Sequence, residues 1–549
     1  MSGIFVCRFN NCMYFCIKTK RNHIMTAIRR RLPVGIQSFS KIREGHFLYV
    51  DKTDIVWQLV NNGKQYNYLS RPRRFGKSVL VDTLQCYFEG RRDLFEGLKI
   101  MELETEWTVR PVIRLDMSRG GADEKSLRSY FDSVFRAYEK KYAVETYTSD
   151  SLSVRFDSII LAAYRQTGQQ VAILIDEYDA PLQHSWHTPE HEACTAVYRE
   201  VFAILKADDE YERFVFITGI TKFTQISLFS VMNNLSNISF DAEYADICGI
   251  SKQELYDNFM PEIEQMGEAN DWTVEETKER LKTQYDGYHF CIDNMVDVYN
   301  PFSLINALSD KRLRNYWSTS GATTLLPKFV DDMGLRLKDF EHCVVLGTII
   351  ETSDVTGGGA ELFLYQSGYL TIKGYDEGIY LLGFPNHEVR QALYETVLPA
   401  LAMRQRGDIQ SAQAFLRLYM SRCNLGEAEK SMKALIADVP YSNKKLASMD
   451  MKERYRLIMS TIFNAIGFRV DVERMLSTGR IDMVVETERY VYVIELKLSN
   501  NGGLAAAERQ IIANGYLEPF RGGKRTVVGL AVELDSEGKG LVGWKAVEN

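Results

Sequence analysis

The sequence has no long apolar run. No segment reaches the ~18 consecutive apolar residues that a membrane-spanning helix needs. The stretch Met1–Cys16 is apolar in part, but Arg8 and Asn10 interrupt it and no small-residue cleavage site is clear. We therefore expect neither membrane insertion nor export. Residues 1–24 are interpreted as an upstream extension or the result of a wrongly chosen start codon, and Met25 is the better start.

Proline and paired cysteines are also scarce. With 12 prolines and 25% charged residues, extensive disorder is not expected. The nine cysteines form no C-x-x-C pair, which favours reduced thiols in a cytoplasmic protein. Cys7, Cys12 and Cys16 are clustered, but His23 is the only further ligand at a suitable distance, so a zinc site is disfavoured.

A basic excess is missing as well. The net charge of −7 does not fit a protein that binds nucleic acid through its whole surface, because neutralising phosphates requires clustered Lys and Arg. A local basic groove stays open. The 549 residues, 45% of them hydrophobic, suffice for several cores, and at about 100–200 residues each we expect three or four folded units.

The most informative segment joins a strand-like run to a helical one. Residues 68–78 read YLSRPRRFGKS. They approximate G-x-x-x-x-G-K-[ST], in which backbone N–H groups and a helix N-terminus surround phosphates, Lys77 reaches the outer phosphates and Ser78 binds Mg²⁺. Arg71 stands where the first glycine is expected, and Pro72 biases it toward extended backbone. An ordinary strand-to-helix turn is the alternative.

An acidic strand end supports a nucleotide site. Residues 170–175 (QVAILI) are typical of a buried parallel strand and are followed by Asp176 and Glu177. Acids at the carboxyl end of such a strand face the ligand crevice. In an ATPase, Asp176 would hold Mg²⁺ and Glu177 would orient or deprotonate the attacking water. The alternative, an acidic turn after a core strand, fits less well beside the Gly-Lys-Ser loop.

Further strands predict a parallel sheet. The additional strands are expected at residues 112–116 and 213–218, with a crossover helix at 126–142. The second strand ends at Thr218, where ATPases of this layout place a polar sensor of the outermost phosphate. Thr221 and Lys222 are weaker candidates for the same role, and a structural role is the alternative for all three.

A second group of charged residues lies near the C-terminus. The predicted strands are residues 468–473, 480–485 and 490–497. Asp482 and Glu495 would then converge on one Mg²⁺ with the Leu496 carbonyl and waters, while Lys497 would position or activate a water against a phosphodiester. The spacing Asp-x(12)-Glu-x-Lys is short and degenerate, so a solvated hairpin face remains the alternative.

Taken together, these motifs resemble the AAA-ATPase-like family of bacterial and archaeal proteins. Members typically carry a C-terminal nuclease-like domain of the PD-(D/E)XK superfamily. The matching segments are 32–36 (LPVGI), 49–53 (YVDKT), 71–78 (RPRRFGKS), 175–179 (IDEYD), 285–288 (YDGY) and 299–301 (YNP). In this family the RPRRFGKS form of the loop is usual, so Arg71 is a family variant. The resemblance implies ATP and Mg²⁺ as cofactors.

The resemblance also assigns roles residue by residue. It implies nucleotide contacts from Arg73, Arg74, Phe75, Gly76, Lys77, Ser78, Val79, Asp176 and Thr218. It implies metal binding by Ser78, Asp176, Asp482 and Glu495, and catalysis by Glu177, Asp482, Glu495 and Lys497. Glu453, before a predicted helix at 455–466, and Gln510, in one at 505–516, match less closely as a helix carboxylate and a phosphate contact. Nuclease cores of this type are also retained as inactive binding platforms.

The expected fold is α/β, with five regions. These are an uncertain N-terminal extension (1–24), a P-loop ATPase domain with a parallel sheet (25–250), a helical lid (251–340), a winged-helix-like and helical connector (341–440) and a restriction-endonuclease-like domain (441–549). The winged-helix expectation rests on a helix, hairpin and helix within residues 362–390. Asp286 and His289 form either a catalytic pair or, as we favour, part of an aromatic turn packed against the lid.

Two functions follow from this organisation. In the first, ATP binding or hydrolysis controls metal-dependent cleavage of DNA or RNA. In the second, the chain is a nucleotide-gated module that binds nucleic acid or protein through an inactive nuclease fold. A homo-oligomer, in which a neighbour completes the ATP site, is compatible with either.

Overall fold

A computed structural model describes most of the chain. The described residues are 31–144, 151–186, 188–221, 235–317, 343–352, 359–402, 406–437 and 449–547, together with the backbone of the short strands β1 (Arg8–Phe9) and β2 (Cys12–Met13). Lys222, Cys7, Cys16 and His23 lie outside the described residues, as does the predicted boundary between the connector and the C-terminal domain at residues 440 and 441.

A five-stranded parallel sheet organises the first half of the chain. Its strands are β3 (Tyr66–Ser70), β4 (Val112–Asp116), β5 (Val171–Asp176), β6 (Glu212–Gly219) and β7 (Ser236–Asn237). Their spatial order is β4-β5-β6-β3-β7, and every neighbouring pair is parallel. β5 is buried at every position, which explains its continuous apolar run. The strands predicted at 112–116, 170–175 and 213–218 are confirmed.

Helices cover both faces of this sheet and fill its connections. They are α1 (Phe39–Glu44), α2 (Thr53–Asn61), α3 (Lys77–Phe88), α4 (Ile100–Leu103), α5 (Glu124–Lys141), α6 (Leu152–Thr167), α7 (Ala180–Ser185), α8 (His191–Phe202) and α9 (Ile204–Ala207). The crossover helix predicted at 126–142 is α5. It starts earlier because the Asp123 side chain accepts a hydrogen bond from the Ser126 N–H and caps the helix.

A helical unit follows the sheet, within the region 251–340 expected to form a helical lid. Its helices are α10 (Lys252–Asn270), α11 (Val274–Tyr285) and α12 (Pro301–Asp310). Reciprocal capping boxes, Ser251 with Glu254 and Thr273 with Glu276, fix the starts of α10 and α11. The short strands β8 (Ile250–Ser251) and β9 (Val298–Tyr299) pair antiparallel and connect this unit to the sheet.

The predicted helix, hairpin and helix are present in the connector. The elements are the strands β10 (Cys343–Leu346), β11 (Thr371–Asp376) and β12 (Ile379–Gly383) and the helices α13 (Gly347–Thr352), α14 (Gly359–Gln366), α15 (His387–Ala402), α16 (Arg406–Ser421) and α17 (Leu425–Ala437). β10 adds a third strand beside β12, which the sequence pattern did not predict. Asn386 accepts a hydrogen bond from Val389 N and caps α15.

The C-terminal unit is a mixed sheet with a helix on each face. Its elements are α18 (Met451–Ala465), β13 (Arg469–Leu476), β14 (Gly479–Glu486), β15 (Tyr490–Leu498), α19 (Gly503–Ala513), β16 (Thr526–Leu534) and β17 (Leu541–Val547). The strands lie in sequence order, and only β15 and β16 are parallel, since α19 provides the crossover between them. The helix predicted from residue 455 begins at Met451, so Glu453 lies inside its first turn.

The connector packs against the C-terminal unit. Helices α15 and α18 lie side by side, and Arg390 of α15 donates to the Val470 carbonyl at 2.6 Å. Tyr492 donates to the Met420 carbonyl, and the Trp544 indole donates to the Leu425 carbonyl. Among the helices that the structure describes, none has the length and apolar character that crossing a bilayer requires.

Candidate functional site: two charged sites on separate sheets

The Gly-Lys-Ser loop connects β3 to α3, as predicted. Arg74 and Gly76 have positive φ angles of 68° and 92°, so the backbone reverses twice before the helix begins at Lys77. The Lys77 Nζ donates to the carbonyls of Arg71 (2.8 Å) and Pro72 (2.9 Å), which holds the loop closed around its own lysine. Burial lowers the pKa of Lys77, and the neighbouring carboxylates, Glu177 first, oppose that shift.

Arg71 turns away from the loop and acts as a structural tie. Its guanidinium donates to the carbonyls of Ser70, Ser239 and Tyr244 at 2.8–2.9 Å and lies 4.2 Å from the centre of the Phe290 ring. The side chain is only 1% exposed. The residue that replaces the first glycine of the motif therefore connects the loop to the segments around Ser239 and Tyr244.

The other loop side chains also point in different directions. Arg73 reaches the Gln183 side chain at 3.4 Å, and Arg74 lies 3.8 Å from the centre of the Phe302 ring in α12. Phe75 is buried edge-on against Tyr288 and Phe290, so its side chain belongs to the core and its backbone alone borders the pocket. Tyr288 and Phe290 of the predicted aromatic turn therefore pack against the phosphate loop.

Two adjacent acids at the end of β5 have different surroundings. The Asp176 carboxylate lies 3.5 Å from the Thr218 hydroxyl and 3.9 Å from Arg114. Burial raises the pKa of Asp176, and the nearby Ser78 side chain opposes the rise. Glu177 has a positive φ of 49° and borders the pocket, and burial raises its pKa too. Ser78 and Thr218 therefore both lie near the Asp176 carboxylate.

Asp179 and Thr221 are hydrogen-bonded to each other. The Asp179 carboxylate accepts from Thr221 N and from its hydroxyl, both at 2.6 Å, and also from Ile220 N. This bonding joins the loop after β5 to the loop after β6. The hydroxyl of Thr221, a weaker candidate for a phosphate sensor, therefore has a structural partner.

A pocket of about 500 Å³ lies over the Gly-Lys-Ser loop. Besides the loop it is bordered by Pro33, Val34, Gly35, Ile36, Gln37, Tyr49, Val50, His184, Phe302, Ile305 and Asn306. Sequence reasoning did not assign a site role to any of these residues, although 32–36 and 49–53 carried the family resemblance. The pocket suits a nucleoside triphosphate with Mg²⁺: it has an apolar part beside the loop, a buried lysine, and the Ser78 hydroxyl near the Asp176 carboxylate.

The second site lies between β14 and β15. Asp482 is 4% exposed and accepts from Leu496 N at 2.8 Å, while the Lys497 Nζ lies 3.2 Å from Glu495 Oε1. The other oxygen, Glu495 Oε2, is buried without a hydrogen-bond partner. Burial, followed by repulsion from Asp482, raises the pKa of Glu495. The structure therefore brings the three predicted residues together and leaves one acceptor for a cation.

Helix α18 adds two cations that sequence reasoning missed. The Lys452 Nζ lies 2.7 Å from Asp482 Oδ2 and 3.8 Å from Glu495 Oε1. Arg456 lies 3.0 Å from Glu473 and 3.8 Å from Asp482. The only sequence signal was their presence in the first turns of a helix preceding the strands.

The two weaker candidates of this site have other neighbours. Glu453 lies 3.8 Å from Arg456 at the edge of the group. The Gln510 amide donates to the Tyr516 hydroxyl, which in turn donates to the Arg480 carbonyl, so Gln510 helps to attach α19 to the β13–β14 hairpin. The phosphate contact of Gln510 stays a prediction.

Other candidate sites are explained by packing. His289 Nε2 lies 2.7 Å from Asp297, and its Nδ1 lies 3.0 Å from the Ile372 carbonyl, so the catalytic pairing with Asp286 is wrong. Within the described part of the chain, no group of three or more His, Cys, Asp or Glu side chains is placed to hold a metal. A metal at the C-terminal site would therefore use two carboxylates, a backbone carbonyl and waters.

The two sheets and their sites define a two-part protein, an ATPase-like unit followed by a nuclease-superfamily unit. Residues 33–229 match the family described as "Predicted AAA-ATPase", and residues 452–544 match the PD-(D/E)XK nuclease superfamily. The chain is also 31% identical over 537 residues to an "Uncharacterized protein in vnfD 5'region" of Azotobacter chroococcum mcd 1, covering 94% of this chain and 98% of that protein. The chain belongs to the AAA-ATPase-like family with a C-terminal PD-(D/E)XK domain, which confirms the resemblance and the fold class.

Proposed function

We propose that the N-terminal unit binds and hydrolyses ATP with Mg²⁺. The observation that carries this proposal is that Ser78 of the phosphate loop lies beside Asp176 at the acidic strand end, because one Mg²⁺ needs both groups. Lys77 binds the outer phosphates, and Thr218 orients Asp176. Glu177 orients or deprotonates the attacking water. Bound Mg²⁺ would neutralise charge that develops on the phosphates.

For the C-terminal unit we propose metal-dependent cleavage of a nucleic-acid backbone. Asp482 and Glu495 hold the ion, which would polarise the phosphate and a bound water. Lys497, 3.2 Å from Glu495, positions the attacking water. The unpaired, buried Glu495 Oε2 supports this role, since a buried carboxylate oxygen without a partner is costly unless a cation joins it.

A continuous set of contacts supports nucleotide control of the second unit. Arg74 of the phosphate loop lies on Phe302 in α12, and a Cβ built on Gly368, after α14, would come within 2.5 Å of the Pro72 ring. Glu388 at the start of α15 accepts from Trp317 N at 2.8 Å, and α15 packs on α18, which carries Lys452. A change in the loop on ATP binding therefore has a packed route to the C-terminal site.

One observation favours the alternative of an inactive binding fold. The Lys452 ammonium lies between the two acids, in the space that an ion would need. If it stays there permanently, the nuclease fold binds nucleic acid or protein without cutting it.

The ATPase proposal is tested with two variants of the full chain. Lys77→Ala is expected to lose binding of a fluorescent ATP analogue, and Glu177→Gln to retain binding while phosphate release falls at least about 100-fold, as for loss of a general base. Lys64→Ala, which removes a surface lysine paired with Asp241, is the control and should leave both readouts unchanged. Unchanged turnover in both site variants would refute the proposal.

The nuclease proposal is tested with supercoiled DNA and with structured RNA, with and without ATP. Mg²⁺-dependent cleavage that disappears in Asp482→Ala and Lys497→Ala, but persists in the exposed Glu537→Ala, is the expected result. Binding without cleavage in all proteins would favour the alternative. Light scattering with and without ATP will show whether the protein assembles into a homo-oligomer.

A further inference from the structure

The position of Lys452 at the start of α18 is fixed through its backbone N–H group. The Asp450 side chain accepts from Lys452 N (3.1 Å) and Glu453 N (3.3 Å), which fixes the first turn of the helix. From this position the side chain extends to the acidic pair, reaching Asp482 Oδ2 at 2.7 Å and Glu495 Oε1 at 3.8 Å. The helix start therefore sets the distance from which the ammonium approaches both acids.

The two lysines of the site contact different carboxylates. Lys497 contacts Glu495 at 3.2 Å, whereas Lys452 is closest to Asp482. Two carboxylates buried side by side repel each other strongly, and an ammonium between them offsets that repulsion. Lys452 thus supplies, within the chain, the positive charge that a divalent ion would otherwise supply.

The surroundings of Lys452 permit it to leave. Its side chain is 28% exposed, so the ammonium has access to solvent, and its flexible stem allows it to swing outward. Arg456, the other cation from α18, is 9% exposed and pairs with Glu473 at 3.0 Å, which ties it to the sheet. Of these two helix cations, Lys452 is the one suited to exchange.

We propose that Lys452 is an internal cation that occupies the Asp482–Glu495 pair in the metal-free protein and competes with a divalent ion for it. The inference rests on the proposed metal-dependent function of this site. Metal binding must then displace the ammonium, so the apparent affinity for the ion is lower than the two carboxylates alone would give. If the ammonium occupies the pair for about nine-tenths of the time, removing it tightens the apparent affinity roughly tenfold.

The test measures binding of Mn²⁺ to the full chain by electron paramagnetic resonance, without any nuclease assay. Lys452→Met should bind Mn²⁺ roughly tenfold more tightly than the wild type. Lys452→Arg keeps the charge and should stay near the wild type. Lys539→Met, which removes a lysine whose side chain is 73% exposed, is the matched control. Asp482→Ala should abolish the Mn²⁺ binding at the Asp482–Glu495 pair and leave only an ion held at Ser78 and Asp176.

A melting experiment provides the second readout. Without metal, Lys452→Met removes the cation closest to Asp482 and should melt at a lower temperature than the wild type. Mn²⁺ should raise the melting temperature of the variant by more than it raises that of the wild type. If Lys452→Met does not fold, Lys452→Gln, which keeps a polar end group, replaces it in both experiments.

The outcomes separate this inference from the proposed function. Wild-type binding that Asp482→Ala abolishes, with unchanged affinity in Lys452→Met, would overturn the role of Lys452 and leave the metal site standing. Equal, weak binding by every protein, Asp482→Ala included, would overturn the metal site and the inference with it. Binding by Lys452→Met but not by the wild type would support the inference and indicate that the wild-type fold is blocked.

Discussion

The guanidinium of Arg71 lies 4.2 Å from the centre of the Phe290 ring and donates to three carbonyls, of Ser70, Ser239 and Tyr244. A cation at a position where phosphate-binding loops have glycine is therefore used for folding. It joins β3 to segments far along the chain.

Arg71→Gly restores the common form of the motif but removes this tie. We expect a loss of about 3 kcal/mol or more in unfolding free energy, because buried carbonyls lose charged donors, and weaker ATP binding. Urea unfolding and titration with a fluorescent ATP analogue will measure both. Arg71→Lys keeps the charge with fewer donors and should fall in between. Unchanged stability and ATP affinity in Arg71→Gly would show that the hydrogen bonds of Arg71 do not stabilise the loop.

Gly368 supports the phosphate loop through Pro72. Its φ is +87°, and an added Cβ would lie 2.5 Å from Pro72 Cβ. Gly378 has a similar φ of +84° with nothing within 4 Å, so it is a matched control. Both Gly→Ala changes should lower the unfolding free energy by about 1–2 kcal/mol through backbone strain. Gly368→Ala alone should also lower ATP affinity, since it displaces Pro72. Equal ATP affinities in the two variants would contradict a link from Gly368 to the loop.

Two acids that follow β5, Glu177 and Asp179, should give opposite phenotypes. Asp179→Asn turns an amide group toward the N–H groups of Ile220 and Thr221, and we expect it to destabilise the fold by about 2–3 kcal/mol. Glu177→Gln, which borders the pocket, should leave the melting temperature unchanged and reduce ATP turnover. Thermal unfolding followed by circular dichroism, combined with phosphate release, distinguishes them. Similar melting temperatures in both variants would mean that the Asp179 contacts contribute little.

Stability should depend on pH through Glu388. Burial raises the pKa of this acid from 4.5 to about 7. Between these values the folded protein binds more protons than the unfolded chain, so the stability that Glu388 contributes is present below about pH 4.5 and is lost as pH rises to 7.

Glu388→Gln removes this dependence while keeping an oxygen for the Trp317 N–H. The unfolding free energy of the variant should exceed that of the wild type by up to ~3 kcal/mol at pH 8 and by little at pH 5. Urea unfolding at the two pH values measures the difference, with the exposed Glu537→Gln as the control. If the difference in unfolding free energy between the wild type and Glu388→Gln is the same at both pH values, ionisation of Glu388 does not cause the pH dependence of stability.

Local patterns predicted much of the fold. β5 was found because a strand covered on both faces must be apolar throughout, and the Gly-Lys-Ser loop because phosphate-binding backbone requires that local sequence. β10 was missed, since a short strand on the outside of a hairpin has little periodicity to recognise. Asp482, Glu495 and Lys497 were found because strand alternation and a short spacing place them on neighbouring strands.

By itself, the sequence determined the strands β4, β5, β6, β13, β14 and β15, the phosphate loop, both acidic pairs and the family. These are properties of neighbours along the chain, where backbone geometry fixes which side chains can act together. Tertiary structure alone decided where Arg71 points, which segments border the pocket, and that Lys452 reaches Asp482. Such contacts join residues far apart in sequence, and their distances depend on how whole helices pack onto sheets, a quantity that no local pattern encodes.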